Sequence, residues 1–396
     1  MKKVALVLNT VNVGGVAKSF IEFVKLMKDS CELDVVLFRN DGDLISQLPK
    51  DVNLIIPKGY MGTFVEKRPS CKKLGLSKYL FKIIMDGVCK FTHNRKPFVN
   101  FATRHSQKLK GYDVAISYAK VCPVYDCWAG CAEYVLNNIS AKKKYVINHD
   151  DYMADNFNNY QIKKIKQFDK MFLVSKSCMN RVAEKVPEIK NKLDYMYNPI
   201  CKETIIDKAN EPLDTVFDSN KVQLVSVGRL EQQKNYLGLI DIVKEVKDNV
   251  GANFVLNIVG DGSCRSAIEE KIKEYSLQGE VKLWGFRLNP YNIIKQCDLF
   301  VLNSIWESFG IVYIEAMTLF VPVLTINVSP AKEMVGDYGI IAQDKAEMVR
   351  VLSELISNKE SLKKLKNKVL DYEFDNLAIK DKWLKYINEG AKNDWI

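Results

Sequence analysis

Short apolar, β-branched runs alternate along the chain with longer stretches in which apolar positions recur every three to four residues. In the first half the strand-like runs are VALVL (4–8), LDVVLF (33–38), DVAIS (113–117), KYVIN (144–148) and MFLVS (171–175). Helix-like segments such as 16–28 and 98–109 lie between them. A second series begins afresh after about residue 198: VQLVSV (222–227), NFVLNIVG (253–260), VKLWG (281–285), DLFVL (298–302) and VPVL (321–324). The runs are apolar nearly throughout, the pattern of strands covered on both faces, so they predict parallel sheets flanked by helices. The stretch 198–221 carries two prolines, many charges and no period, and reads as a connector. The expected fold class is α/β, with two doubly wound domains over 1–200 and 201–378. Ligands of such sheets sit at the carboxyl ends of the strands, which makes a cleft between two such domains the default site.

Composition agrees with a folded two-domain protein: 396 residues, 47% hydrophobic and 27% charged. No apolar run reaches the roughly 18–20 residues that a membrane-spanning helix needs. The opening MKKVALVLNT imitates a secretion signal, but Asn9 and Asn12 interrupt the apolar run and no small-residue cleavage site follows, so a first strand is expected. The ten cysteines are dispersed without CxxC or other metal-ligand spacing, as suits structural thiols in a reducing cytoplasm.

Charge changes the picture. The net charge is +10, yet residues 1–200 hold 33 Lys+Arg against 19 Asp+Glu, and the remainder 25 against 29. The excess is concentrated in 58–110, with 13 Lys+Arg and two acids, Glu66 and Asp86. Within it LSKYLFKIIMDGVCKF (76–91) reads as an amphipathic helix with Lys78, Lys82 and Lys90 among its apolar residues. Such a helix suits either an anionic membrane surface or a plain solvated face. A nucleic-acid partner is not expected, since no recognised binding motif is present.

The candidate chemistry lies in the second half. WESFGIVYIEAM (306–317) puts Glu307 and Glu315 in apolar surroundings with seven residues between them. A helix starting near Ser308 would set Glu307 before its first turn and Glu315 about two turns inside. The amides around Phe309, Gly310, Ile311 and Val312 would then form an anion-binding helix start. The same carboxylates could instead serve as a dipole partner and a core ion pair. SVGRLEQQKNYLGLI (226–240) places Gly228, Arg229 and Lys234 in a strand-to-helix loop, where paired cations can clamp a diphosphate. IVGDGSCRSAI (258–268) ends another strand in a glycine turn.

In this order, the Gly-Arg…Lys loop, the Gly-Asp-Gly turn and the two glutamates resemble the donor domain of the retaining GT-B glycosyltransferases of family 4. The resemblance is strong over 222–340 and weak over the first half. NPYNIIKQCD (289–298) resembles the branch that builds capsule, O-antigen and other bacterial surface polysaccharides. The resemblance implies two facing Rossmann-like domains, the first binding the acceptor and the second the donor, with a last helix (379–396) returning to the first. Trp383 and Tyr386 are its expected packing residues. It further implies that Arg229 and Lys234 hold the diphosphate of a nucleotide-sugar, UDP being the first candidate base. Glu307 would meet the donor sugar's hydroxyls, Glu315 the ribose, and the amides of Phe309, Gly310 and Ile311 the phosphate. Ser308 stands where the family usually has glycine.

Two features of the first half fit the same reading. NVGGVAKS (12–19) follows the first strand, and Gly14-Gly15 would let a ligand approach the backbone; the family has a similar loop, and an ordinary tight turn is the other reading. VINHDDYMADN (146–156) ends a strand with His149, Asp150 and Asp151, and the resemblance makes His149 the histidine beside the reacting sugar. Asp151 is the candidate to orient it or touch the acceptor. Asp41 and Asp43 in NDGDL (40–44) read as a solvated turn, and no essential metal or other cofactor is expected. The expectation is therefore a cytoplasmic glycosyltransferase, peripheral at the inner membrane face, acting on a lipid-linked saccharide with retention. A nucleotide-sugar epimerase and a non-catalytic binding partner in a polysaccharide assembly complex are the alternatives. The dinucleotide fingerprint GxGxxG is absent, which argues against a dehydrogenase.

Overall fold

The structure is a computed structural model that describes all residues except 67, 124–129, 151–156, 214 and 389–396. It divides into two units, Met1–Pro199 with Asp375–Ile396, and Ile200–Phe374.

The first unit is built on a seven-stranded sheet. Its strands are β1 (Lys3–Leu8), β2 (Glu32–Leu37), β3 (Asn53–Ile55), β4 (Leu109–Ser117), β5 (Ile139–Asn148), β6 (Lys170–Leu173) and β7 (Leu193–Tyr195). All neighbours pair in parallel, in the order β3-β2-β1-β4-β5-β6-β7. β1 sits inside the sheet with Val4, Ala5, Leu6 and Val7 fully buried, which is why its sequence is uninterrupted apolar. The strand order reverses at β1, between β2 and β4, and this is the point at which doubly wound sheets open a ligand crevice.

The helix Asn376–Asn388 closes this unit. Trp383 is 1% exposed and lies edge-on to Phe23 at 5.0 Å and tilted against Phe172 at 4.9 Å. Tyr386 packs edge-on to Phe172 and Tyr145, and its hydroxyl donates to the buried Asp194 carboxylate, which Lys382 also reaches at 3.0 Å.

The second unit carries a six-stranded sheet of β8 (Val222–Val227), β9 (Phe254–Val259), β10 (Val281–Gly285), β11 (Leu299–Leu302), β12 (Val323–Ile326) and β13 (Gly339–Ala342). The order is β10-β9-β8-β11-β12-β13, again all parallel. The reversal falls at β8, between β9 and β11. Leu224, Leu256, Leu299, Val301 and Leu324 fill the core below, with Ile240, Val243 and Val246 from the helix Tyr236–Val250.

Several local expectations shift. The connector is not without structure: Lys202–Ala209 is a helix, opened by the Cys201 sulfur accepting from the Thr204 amide at 3.4 Å. The strand expected at 321–324 is displaced to Val323–Ile326. The helix expected over 98–109 is Lys96–Arg104, with Pro97 in its first turn, and β4 already begins at Leu109.

Candidate active site

The loops leaving β8 and β11 meet at the switch point of the second sheet, because those two strands are neighbours. Gln233 in the first loop bonds both residues that open the turn of the second: its carbonyl accepts from the Ile305 amide at 2.8 Å, and its side chain donates to the Trp306 carbonyl at 3.1 Å. This stitching brings together side chains 73 positions apart. Lys234 Nζ lies 2.5 Å from Glu307 Oε1, which also accepts from Ser304 Oγ at 2.6 Å. The pair is mostly shielded, with the Lys234 side chain 13% and the Glu307 side chain 7% exposed.

Gly228 explains how Lys234 gets there. A Cβ at Gly228 would lie 3.3–3.5 Å from the Lys234 stem and 3.2 Å from the Tyr236 hydroxyl, so a glycine leaves the lane along which the lysine runs. Arg229 is different. It is exposed, and its guanidinium makes no ion pair among the described residues. Of the two cations expected to act together, one is held by a carboxylate and the other is open to solvent.

The glycine turn after β9 supports this loop from beneath. A Cβ at Gly260 would fall 1.9 Å from the Gly228 carbonyl oxygen, and one at Gly262 would meet the Leu230 backbone at 2.6–2.8 Å. The Leu230 amide donates to the Asp261 carbonyl at 3.0 Å, and Glu231 accepts from the Ser263 amide and hydroxyl. The Gly-Asp-Gly sequence is thus required by two backbones in contact.

The helix of the glutamate segment starts later than expected. It runs Ile311–Thr318, preceded by Gly310 in the left-handed region at φ 77°. Residues 307–310 form a turn, and Glu315 is the fifth helical residue, little more than one turn inside, not two. The first-turn amides of Ile311 and Val312 lack acceptors within the helix, as at any helix start. Gly310 is doubly constrained, since a Cβ there would also sit 2.4 Å from the Tyr313 ring. Phe309 is buried beside Phe374 at 6.4 Å, so its ring packs inward. Glu315 is 3% exposed and accepts from the Tyr291 hydroxyl at 2.6 Å.

In the first unit, Gly14 and Gly15 stand exposed at the start of the helix Gly15–Met27, beyond β1. A Cβ at either would meet nothing within 4 Å, so no packing inside the chain asks for glycine there. His149 follows β5 and lies against Tyr118, which follows β4, with ring centres 4.9 Å apart. The residue is half-buried, but its Nε2 is shut off from solvent and has no partner among the described residues. Burial pushes the imidazole down to about 4, against a hydrogen bond that the ring donates to the Tyr118 backbone, so the ring is neutral at ordinary pH. Asp151 lies outside the described residues. Asp41 is spent on Arg39 at 2.5 Å, and Asp43 accepts from the Val13 amide at 3.3 Å.

Sequence reasoning missed Ser304, Gln233 and Tyr291 as supporting residues. Their only signal was position, at a strand end or in a loop that the strand order turns towards the glutamates.

Residues 207–370 match the family model of the glycosyl transferases group 1. They are a group 1 glycosyltransferase domain. Among curated relatives of this family, the Campylobacter jejuni N-acetylgalactosamine-N,N'-diacetylbacillosaminyl-diphospho-undecaprenol 4-alpha-N-acetylgalactosaminyltransferase is 29% identical over 248 residues, 60% of this chain and 66% of that protein. The Rhizobium meliloti lipopolysaccharide core biosynthesis glycosyltransferase LpsD is 29% identical over 175 residues, 42% of this chain and 50% of that protein. The chain thus spans 66% or less of the length of the two curated glycosyltransferases it matches here. Over 98% of this chain and 99% of the other, the structure also matches that of Anabaena HepE in complex with UDP and glucose, at TM-score 0.68 and 16% identity. The shared fold is GT-B.

Proposed function

We propose that the chain is a retaining glycosyltransferase. It moves a hexose-type sugar from a nucleoside diphosphate, UDP the first candidate, to a hydroxyl of a lipid-linked saccharide in surface-polysaccharide synthesis. The observation that carries this reading is the shielded Lys234–Glu307–Ser304 cluster at the switch point of the second sheet, beside the helix start at Gly310 and the exposed Arg229. A ligand with a phosphate group in its middle has a use for each part. The helix start and the two cations take the diphosphate, Glu307 takes hydroxyls of the sugar, and Glu315 takes those of the ribose. In the reaction the bond from the anomeric carbon to the phosphate oxygen breaks, and a bond to the acceptor oxygen forms on the same face. The acceptor proton passes to the leaving phosphate. Arg229 and Lys234 stabilise the charge that grows there, and this charge compensation comes from the chain itself, without a metal. Neutral His149 serves beside the reacting sugar, the open Gly14-Gly15 backbone serves the donor, and Asp151, nearby in sequence to His149, serves the acceptor.

Two named proteins support the choice of substrates: the Campylobacter relative is named for an undecaprenol-diphosphate saccharide, and HepE was crystallised with UDP. The work site is then the inner face of the plasma membrane. Calorimetric titration with UDP, GDP and ADP, with and without EDTA, tests the reading on wild type and Lys234→Ala. One nucleotide should bind, unaffected by EDTA and lost in the variant. Binding of none would overturn the donor site. Turnover without an acceptor would point to an epimerase instead.

A further inference from the structure

The loops that leave β1 and β8, the strands at which the two sheets reverse their order, are held by the same local device. In the second unit Gly262 lies against the Leu230 backbone, three residues beyond β8, and the Cys264 amide donates to the Leu230 carbonyl at 2.8 Å. In the first unit Gly42 lies against the Val11 backbone, three residues beyond β1. A Cβ at Gly42 would fall 2.8 Å from the Val11 nitrogen and carbonyl carbon, and 2.7 Å from Thr10 Oγ1. The Leu44 amide donates to the Val11 carbonyl at 2.9 Å. Val11 and Leu230 are both fully buried. Asn40-Asp41-Gly42-Asp43 thus supports the β1 loop as Gly260-Asp261-Gly262-Ser263 supports the β8 loop, with Asp-Gly common to both. Neither Gly42 nor Gly262 has a positive φ, so the closeness of two backbones, not a torsion, excludes a side chain there.

A carboxylate bridges loop and turn in each unit, from opposite sides. In the second unit Glu231 reaches from the β8 loop to the Ser263 amide at 3.1 Å and its hydroxyl at 2.6 Å. In the first unit the carboxylate stands on the turn: Asp43 Oδ2 accepts from the Val13 amide at 3.3 Å. Arg39 fixes the turn itself, bonding Asp41 and, at 2.9 Å, the buried Glu66. A turn that reads as merely solvated in the sequence is therefore tied on both sides. Val13 leads directly into Gly14-Gly15, where a Cβ would meet nothing within 4 Å. Those two glycines have no packing to hold them, and Gly42 and Asp43 hold the segment that enters them.

We propose that the turn 40–43 is a brace for the ligand loop of the first unit, the counterpart of the Gly-Asp-Gly turn in the second, and that Gly42 and Asp43 are positioning residues that set Val13, Gly14 and Gly15 for the donor. Its purpose rests on the donor reading proposed above; the brace itself is read from the chain's own contacts. A loop held in place before its ligand arrives loses less freedom on binding, which is what such a brace contributes.

The test compares Gly42→Ala, Asp43→Ala and Asp43→Asn with wild type in the full chain, first by amide hydrogen exchange. Exchange over 11–16 should quicken about fivefold in Asp43→Ala, the worth of one hydrogen bond, and more in Gly42→Ala. Asp43→Asn, whose side-chain carbonyl can accept the same bond, should keep the wild-type rate. Calorimetric titration with UDP-glucose should follow the same order, about fivefold weaker in Asp43→Ala and restored in Asp43→Asn. Asp43 is exposed, so its two variants should keep the wild-type circular dichroism and Tm even where Gly42→Ala does not. Unchanged exchange in Asp43→Ala, or quickened exchange with UDP-glucose affinity intact, would overturn the positioning role. So would weakened binding that Asp43→Asn does not restore. UDP titration of wild type judges the donor reading separately: a wild type that binds neither UDP nor UDP-glucose overturns that reading, and the exchange rates then decide the brace.

Discussion

Removing either partner of the Lys234–Glu307 pair should cost far more than removing both. The two groups touch at 2.5 Å with side chains 13% and 7% exposed, and Ser304 shares the same carboxylate oxygen. At an effective dielectric of about 20, unit charges about 4 Å apart attract by about 4 kcal/mol, most of which offsets desolvation. Breaking such a pair from one side leaves a charge in poor solvent and costs about 3–5 kcal/mol. The residual exposure of Lys234 lets water relieve part of this, so about 3 kcal/mol is expected for Glu307→Gln or Lys234→Met alone. The double variant should lose about 1 kcal/mol, which makes the coupling about 5 kcal/mol. Urea denaturation of the four proteins measures it. Nucleotide binding reads the same pair differently. Glu307→Gln releases Lys234 and should bind UDP at least as tightly as wild type. Lys234→Met loses a charge-assisted contact and should bind about 10–100-fold more weakly. Single variants that each cost less than about 1 kcal/mol and add without coupling would refute the reasoning. So would weaker UDP binding in Glu307→Gln than in Lys234→Met.

Three further outcomes follow from the geometry. Gly310→Ala meets a left-handed backbone at φ 77° and the Tyr313 ring at 2.4 Å; it should cost about 2–4 kcal/mol, read as a lowered Tm, and weaken UDP binding. His149 is held at about 4 against an unfolded value of about 6.5, so its contribution is complete above 6.5 and is lost as pH falls towards 4. Between pH 7 and 4.5, wild type should lose about 2–3 kcal/mol more than His149→Gln in urea denaturation. Trp383→Ala empties a site between Phe23 and Phe172 and should destabilise the first unit by about 3–5 kcal/mol, measured by calorimetry.

What the sequence discloses follows the range of the forces involved. β1, β8 and β9 are legible because a strand buried on both faces is apolar at nearly every position, a local fact. β3, β7 and β13 are three or four residues long, and β3 is largely exposed at a sheet edge, so they leave little pattern to read. The helix start at Gly310 depends on one backbone torsion, which glycine permits but does not announce. Lys234 and Glu307 are recognisable one at a time by resemblance. That they touch depends on β8 lying beside β11, a consequence of strand order that no window of residues contains.

The helix Leu76–Thr92 shows the same limit most sharply. Periodicity separates its apolar stripe from its charged one, yet is silent on which of them faces outwards. The choice is made by what fills the space beneath: Met85 and Cys89 supply apolar volume there, while Arg68, reached through Asp86, and the Phe64 carbonyl give the buried lysine its partners. With those satisfied inside the unit, Leu76, Leu80, Ile84, Val88 and Phe91 are left exposed. An exposed apolar stripe of that kind carries a solvation cost, which the buried lysine's hydrogen bond and ion pair inside the unit offset.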